Sequence, residues 1–454
     1  MSARPASFSG RGVVLSVCAV LLALVAGGAW FLRGPGPLAF AAGESTPGTG
    51  HPGFDPTGVP GALAQASVVE RGEYLARAAD CVVCHTARDG TAYAGGLAFV
   101  LPFGTLYSTN ITPDDKTGIG GYTDAQFLAA LRHGVRRDGA PLYPAMPYTS
   151  YTYMSDADAL AIKAYLMTLA PVEAPARGNT LGFPFDQRWA IGVWSALFGA
   201  DRRFEANASR SDAWNRGAYV AEALAHCGEC HTPRNIALAL NNRRKFGGAL
   251  TAGWKAHNVT SDPATGVGAW SDDELLSYLA TGHATGRGSA AGPMGEAVDE
   301  SFSHLAPDDL KALVVYLRSV PPLVSAEVPA TLAPAAPESH RAGTASNDPR
   351  GKALFAQACA SCHGWTGASA LTPFATLTGA RSVNDPLATN VAQIVISGMQ
   401  RVSPPDAVSM PAFGSSYSDV EIAAVSNYVT ARFGGTVSSL TAKDVARLRA
   451  QGGH

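Results

Sequence analysis

Three pentapeptides constrain this chain more than anything else in it: Cys81-Val82-Val83-Cys84-His85, Cys227-Gly228-Glu229-Cys230-His231 and Cys359-Ala360-Ser361-Cys362-His363. Each reads Cys-x-x-Cys-His, the spacing that attaches a c-type haem. The chemistry needs that spacing. Two thiols add across the two vinyl groups of one porphyrin, and two intervening residues let one helical turn present both sulfurs to the ring edge. The next histidine then lies under the macrocycle as proximal iron ligand. One such pentapeptide arises by chance in roughly one chain in a few hundred, so three copies exclude coincidence. The chain has seven cysteines; six are in the pentapeptides and Cys18 lies in an apolar N-terminal run, which leaves none for a disulfide framework. A structural zinc site would need a second ligand pair at finger spacing, and no pair has one. The residues predicted to hold three haem c groups are therefore Cys81, Cys84, Cys227, Cys230, Cys359 and Cys362, with His85, His231 and His363 on the irons.

The 454 residues suggest about three domains. Charged residues are only 15%, while Gly 49 and Pro 30 are high, which predicts loops and short helices. A net charge of -2 argues against nucleic acid as a partner. Residues 13–32 (VVLSVCAVLLALVAGGAWFL) carry no charge and are long enough to span a bilayer. Arg4 and Arg11 before them and Arg33 after them favour a cytoplasmic N-terminus and an exported body. A cleaved signal peptide is the competing reading, since Ala39-Phe40-Ala41 has the small-x-small form. A signal core is shorter, about 7–15 residues, so a retained anchor over 1–33 is favoured. Gly, Pro and Ala dominate 34–66, which reads as a tether.

An internal repeat sets the architecture. Arg71-Gly72-Glu73-Tyr74-Leu75 matches Arg216-Gly217-Ala218-Tyr219-Val220. Asn110-Ile111-Thr112 matches Asn258-Val259-Thr260, and Gly118-Ile119-Gly120 matches Gly266-Val267-Gly268. The third copy is shorter, beginning at Gly351-Lys352-Ala353-Leu354-Phe355. Each unit is predicted to open with a short helix into the haem motif, at 69–79, 213–225 and 349–358. Each is predicted to end on a closing helix, at 156–169, 307–320 and 419–433. Ser155, Pro307 and the Ser418/Glu421 capping box mark the starts of the closing helices. Gly72, Gly217 and Gly351 recur in the opening helices, and Tyr165, Tyr316 and Tyr428 in the closing ones. A glycine lets helices cross closely and an aromatic fills the opposite side, so these read as packing residues.

The plan resembles class I cytochrome c three times over, across 67–172, 209–322 and 347–436. The fold class implied is all-α: three tandem class I cytochrome c domains behind one N-terminal transmembrane helix. Residues 173–208 are a connector, 323–346 a Pro/Ala-rich linker and 437–454 a tail. The resemblance implies a distal methionine on each iron, in a loop before the closing helix. Met146 is favoured in the first domain, within Tyr143-Pro144-Ala145-Met146-Pro147-Tyr148, with Met154 as the alternative and Met167 as core. Met294 is the second domain's one methionine, 63 residues after His231 against 61 from His85 to Met146. Met410 is favoured in the third over Met399, which reads as core. His133 and His283 stand at similar positions but beside a glycine in polar loops, which suits solvated histidines. The flexible second linker predicts a third domain less tightly tied than the first two.

The connector holds Phe183-Pro184-Phe185 and the apolar run Trp189–Phe198, too short to span a membrane. It reads as packing between the first two domains, or else as an interfacial helix or docking surface. Together with Tyr107–Asp114, Leu142–Tyr148 and Gly292-Pro293-Met294, the chain resembles the triheme cytochrome c subunit of bacterial membrane-bound dehydrogenases. That family serves quinoprotein alcohol dehydrogenase, flavoprotein gluconate and sorbitol dehydrogenases, and molybdenum-containing hydroxylases; the 183–189 stretch is somewhat more similar to the last. The resemblance implies an electron-transfer subunit with no substrate chemistry of its own, on the inner membrane with its haem domains in the periplasm. It implies a periplasmic dehydrogenase catalytic subunit as donor and ubiquinone or a terminal oxidase as acceptor. The alternatives are a free-standing or oxidase-associated cytochrome, and a haem peroxidase or reductase, which needs one iron without a distal ligand.

Overall fold

The structure, a computed structural model, describes residues 27–42, 50–51, 53–325, 349–401, 407–435 and 437–451. Most of the expected membrane span, 13–26, lies outside the described residues; 27–33 are helical. Among the described residues no helix is long and apolar enough to cross a membrane.

The first repeat opens with α1 (Val68–Ala78), started by a Ser67/Glu70 capping box. The haem motif forms a single turn, α2 (Cys81–Cys84), entered through Asp80 in the left-handed region at φ 57°. A β1–β2 hairpin (Ala98–Leu101, Gly104–Tyr107) follows, then α3 (Asp124–His133), which Gly134 ends at φ 61°. The short α4 (Tyr148–Tyr151) leads to the closing helix α5 (Asp156–Leu166), where the Ser155 side chain accepts from the Asp158 N–H. The connector supplies α6 (Arg188–Phe198).

The second repeat runs α7 (Asp212–Tyr219), α8 (Gly228–His231), β3–β4 (Ala249–Thr251, Trp254–Ala256) and α9 (Asp272–Thr281). It continues with β5–β6 (His283–Ala284, Gly288–Ser289), α10 (Gly292–Glu300) and α11 (Pro307–Ser319). The third has α12 (Pro349–Leu354), α13 (Ala360–His363), α14 (Thr389–Ser397) and β7–β8 (Met399–Arg401, Val408–Met410). It ends with α15 (Asp419–Phe433) and α16 (Ala442–Gln451). A π-helical turn joins opening helix to haem motif in the second repeat (Val220–Leu224) and the third (Phe355–Cys359). Helices dominate, and among the described residues four two-stranded antiparallel hairpins stand alongside them. Gly253 and Gly286, both at positive φ, turn two of these hairpins.

Opening and closing helices cross where the glycines recur. A Cβ on Gly72 would stand 1.9 Å from the Ala161 carbonyl oxygen, on Gly217 1.9 Å from that of Ala312, and on Gly351 2.3 Å from that of Ala424. The Cβ atoms of Tyr165, Tyr316 and Tyr428 lie within 3.0 Å of the same points. Gly217→Ala is accordingly expected to destabilise by roughly 3 kcal/mol, since backbone rather than a flexible side chain must yield. A lowered thermal midpoint with haem content retained at low temperature checks this; an unchanged midpoint would show that the helices can part without cost.

One core cluster runs through the first two repeats, from Tyr74 and Leu75 to Tyr316 and Val320. Leu38, Phe40 and Ala41 of the tether pack with it. The two repeats join by reciprocal bonds. Tyr74 donates to Asp309 Oδ2 at 2.6 Å, and Tyr219 donates to Asp158 Oδ2 at 2.5 Å. The Ala306 N–H donates to the Tyr74 hydroxyl and the Ser155 N–H to that of Tyr219, both at 3.2 Å. The residues involved are repeat equivalents, so the arrangement is that of an isologous dimer formed within one chain. The third repeat has Ala353, exposed, at the tyrosine position and Glu421 at the aspartate position, and takes no part.

The third repeat has its own core cluster, which Val445 and Leu448 of α16 complete. It is tied to the second more firmly than the linker predicts. Arg401, 2% exposed, meets Asp299 at 2.8 Å, and Lys255 meets Asp385 at 3.2 Å. Arg381 donates to the carbonyls of Thr265 and Gly266.

Candidate haem sites

The three histidines share one environment. His85 Nδ1 lies 2.6 Å from the Thr109 carbonyl oxygen, His231 Nδ1 2.6 Å from that of His257, and His363 Nδ1 2.6 Å from that of Ala375. A carbonyl only accepts, so the ring must carry its proton on Nδ1, leaving the Nε2 lone pair for a metal. Burial lowers the pKa of all three imidazoles and favours the neutral form that ligates. The residues supplying the carbonyl are Thr, His and Ala. No side-chain type marks the position, so the sequence holds no signal for it.

Five of the six cysteines are partly buried and Cys362 is exposed. All six described cysteines are free. Burial pushes Cys81 and Cys227 up to about 12, and Cys230 and Cys359 up to about 11. Such thiols stay protonated at neutral pH, unlike the thiolates of a zinc or redox site. Among the described residues no group of His, Cys, Asp or Glu could hold a metal ion alone. The turns therefore fit haem c, with its two thioethers and one neutral imidazole.

The supporting loops repeat as well. Asn110 Nδ2 donates to Thr117 Oγ1 and to the Val172 carbonyl; Asn258 Nδ2 donates to Thr265 Oγ1 and to the Leu323 carbonyl. Each Asn thereby fastens the segment carrying the histidine's carbonyl partner to the chain beyond the closing helix.

The methionines separate by exposure. Met154 is 0% exposed and belongs to the core cluster of the first two repeats. Met167, expected in the core, is 40% exposed on the surface. Met146 is half-buried in the Tyr143–Pro147 turn and packs on the same core cluster as Cys81. Met294 also packs there, with Cys227, but on the first turn of α10 rather than in an extended loop. Met410 packs on the third repeat's cluster together with Cys359. Its Cα pairs with that of Met399 across β7–β8, so both side chains leave the hairpin on one face. Met399 is partly buried and stands beside Met410. Of the two histidines read as solvated, His133 is partly exposed, while the His283 ring lies 4.9 Å from that of Phe374, tilted by 40°, between the second and third repeats.

The first two sites lie close together. Helix α10, which carries Met294, touches the α2 turn of the first site. In return, Tyr151 lies 5.5 Å edge-on from His226, and Ser150 and Thr149 donate to Glu229 inside the second motif.

The cytochrome c family matches residues 69–170, and the family described as cytochrome c oxidase, cbb3-type, subunit III matches 346–429. The fructose dehydrogenase cytochrome subunit of Gluconobacter japonicus is 40% identical over 87% of this chain and 86% of its own length. The gluconate 2-dehydrogenase cytochrome c subunit of Pantoea cypripedii is 39% identical over 85% and 90%. The cytochrome c subunit of the quinone-dependent alcohol dehydrogenase of Gluconacetobacter polyoxogenes is 37% identical over 86% of both chains. With haem-c turns on cytochrome c folds, and this likeness along most of its length, the chain belongs to the family of dehydrogenase cytochrome c subunits, which transfer electrons and do not act on substrate themselves.

Proposed function

We propose that the chain carries three haem c groups. The thioethers come from Cys81 and Cys84, Cys227 and Cys230, and Cys359 and Cys362. The proximal ligands are His85, His231 and His363, and the distal ones Met146, Met294 and Met410. The carrying observation is the threefold Nδ1–carbonyl bond at 2.6 Å, which presents the same nitrogen in each repeat. Haem c supplies a one-electron iron couple, and a thioether ligand raises its potential relative to a second imidazole. The chain holds each imidazole in one tautomer and brings the first two sites together where α10 touches the α2 turn.

The donor is the catalytic subunit of a periplasmic dehydrogenase, and the acceptor is ubiquinone or a terminal oxidase. Residues 13–32 act as a retained anchor in the bacterial inner membrane. Retention is supported by Leu38, Phe40 and Ala41, which pack on the core and would be lost by cleavage after Ala41.

The test is the haem-to-chain ratio of the purified protein, expected at three, with an all low-spin spectrum and a sulfur-to-iron charge-transfer band. A high-spin ferric haem would favour the peroxidase reading instead. Recovery of the tagged protein with oxidase subunits alone would sink the dehydrogenase donor. Met410→Ala is expected to lower one potential and open one iron to carbon monoxide. The same result from Met399→Ala, with Met410→Ala silent, would move the third distal ligand across the hairpin.

A further inference from the structure

Three irons with the same pair of ligands would by that ligation alone have similar potentials. The protein around the second haem turn, however, differs from that around the other two. Glu222, in the π-helical turn before Cys227, and Lys245 are 6% and 5% exposed. Lys245 Nζ donates to Glu222 Oε2 at 2.7 Å. The hydroxyl of Tyr316, on α11, donates to Glu222 Oε1 at 2.5 Å. A carboxylate and an ammonium are thus enclosed together in the core of the second repeat.

The pair lies against the turn that attaches the haem. Lys245 Nζ would stand 3.6 Å from a Cβ on Gly228, between the two cysteines. It is also 4.2 Å from the centre of the Phe246 ring, and the Phe246 N–H donates to Thr232 Oγ1, next to His231. Burial raises the pKa of the Cys227 thiol most, the Glu222 carboxylate raises it further, and Lys245 lowers it by less. At this sulfur the field of the pair is therefore net negative.

The fold itself does not need these charges. Five residues past the shared glycine, where the second repeat has Glu222, the first has Arg77 and the third Ala356. Arg77 is partly exposed and bonds to Glu73 on its own helix, and Ala356 is exposed. The Gly95 N–H donates to the His85 carbonyl and the Gly248 N–H to that of His231, which sets Ala92 of the first repeat against Lys245. Tyr93 and Phe246 then correspond, and each donates its N–H to the threonine after the histidine, Thr86 or Thr232. A buried ion pair adds little net stability, because desolvating both charges offsets their attraction. A pair present in one repeat and replaced in its equivalent points to a role for the charges.

We infer that Glu222 and Lys245 set the reduction potential of the second haem, holding it below the value its ligands alone would give and so apart from the first and third. The inference rests on the three-haem reading just proposed. Ferric haem carries one more positive charge than ferrous haem, so a net negative field favours the oxidised form, and the low dielectric of the core strengthens that field. Lys245 offsets part of it, and the Tyr316 hydroxyl fixes the carboxylate in place.

Potentiometric titration of the full-length holoprotein, followed optically, reads the haem potentials. Glu222→Gln keeps the shape of the side chain and removes its charge. It is expected to make one haem of three roughly tenfold easier to reduce, a rise of about 59 mV for a one-electron couple, with the other two unmoved. It also leaves the Lys245 ammonium buried without its carboxylate, so the thermal midpoint should fall. Glu222→Gln with Lys245→Met removes both charges, and is expected to recover the thermal midpoint while the same haem potential still stands above the wild type. Glu222→Asp keeps the charge and is expected to hold the wild-type potentials. Potentials unchanged or lowered in either neutral variant, or a rise shared by all three haems, would overturn the inference. A haem-to-chain ratio of three on the same samples would leave the electron-transfer reading standing in that event.

Discussion

His363→Ala is expected to remove one haem signal of three and leave the other two unchanged, whereas His231→Ala is expected to disturb two. The difference follows from the cores. His363 belongs to the third repeat, whose cluster runs from Phe355 to Leu448 and includes no residue of the first two. His231 follows Cys227, which packs on the cluster shared by the first and second repeats. Losing the proximal ligand there loosens the 227–231 turn, to which Ser150 and Thr149 of the first repeat are bonded through Glu229. The side-chain loss alone costs about 3 kcal/mol at a buried site, and the ligation energy of the iron is lost on top of it. Potentiometric titration followed optically reads the outcome. Two unperturbed midpoints in His231→Ala would show that the shared core does not couple the sites.

The haem turns are legible in the sequence because their chemistry fixes residue types at fixed spacing. So are the helix crossings: Gly72 with Tyr165, Gly217 with Tyr316, and Gly351 with Tyr428 meet at near-identical separations. The Ser418/Glu421 box and the Ser155 cap form at the expected helix starts. Other features have no local signal. The hairpins escape a reading of periodicity because strands of two to four residues give too little alternation to count. The histidine-to-carbonyl bonds escape it because any residue can supply a carbonyl. The methionines are harder for a different reason. Met167 has the spacing of a core residue at the end of α5 but falls where the helix stops, and so faces solvent. Met399 and Met410 are eleven residues apart in the chain and become neighbours only through a hairpin. The third repeat's attachment is also hidden. Arg401 and Lys255 look like surface cations until Asp299 and Asp385 are brought to them from elsewhere in the chain.

Asp309→Ala is expected to be among the most damaging single changes outside the haem turns. Asp309 is 1% exposed and takes a fork of bonds from Arg216, Nε to Oδ1 at 2.7 Å and NH2 to Oδ2 at 2.6 Å, besides the Tyr74 hydroxyl. Its removal leaves a buried guanidinium and a buried hydroxyl without their carboxylate, which costs about 3–5 kcal/mol. Arg216 would keep only its bonds to the carbonyls of Pro56 and Gly58. Tyr74→Phe removes one bond to a charged group and is expected to cost about 1.5–3 kcal/mol, and Tyr219→Phe a similar amount at the symmetric place. The two tyrosines bond to different aspartates, so the double variant should be near the sum. Glu421 occupies the equivalent position in the third repeat but only caps α15, so Glu421→Ala should shift the midpoint far less. Thermal unfolding of the five variant holoproteins compares them directly. A loss in Glu421→Ala as large as in Asp309→Ala would mean that the aspartates act as helix caps, and that the reciprocal tyrosine bonds do not hold the first two repeats together.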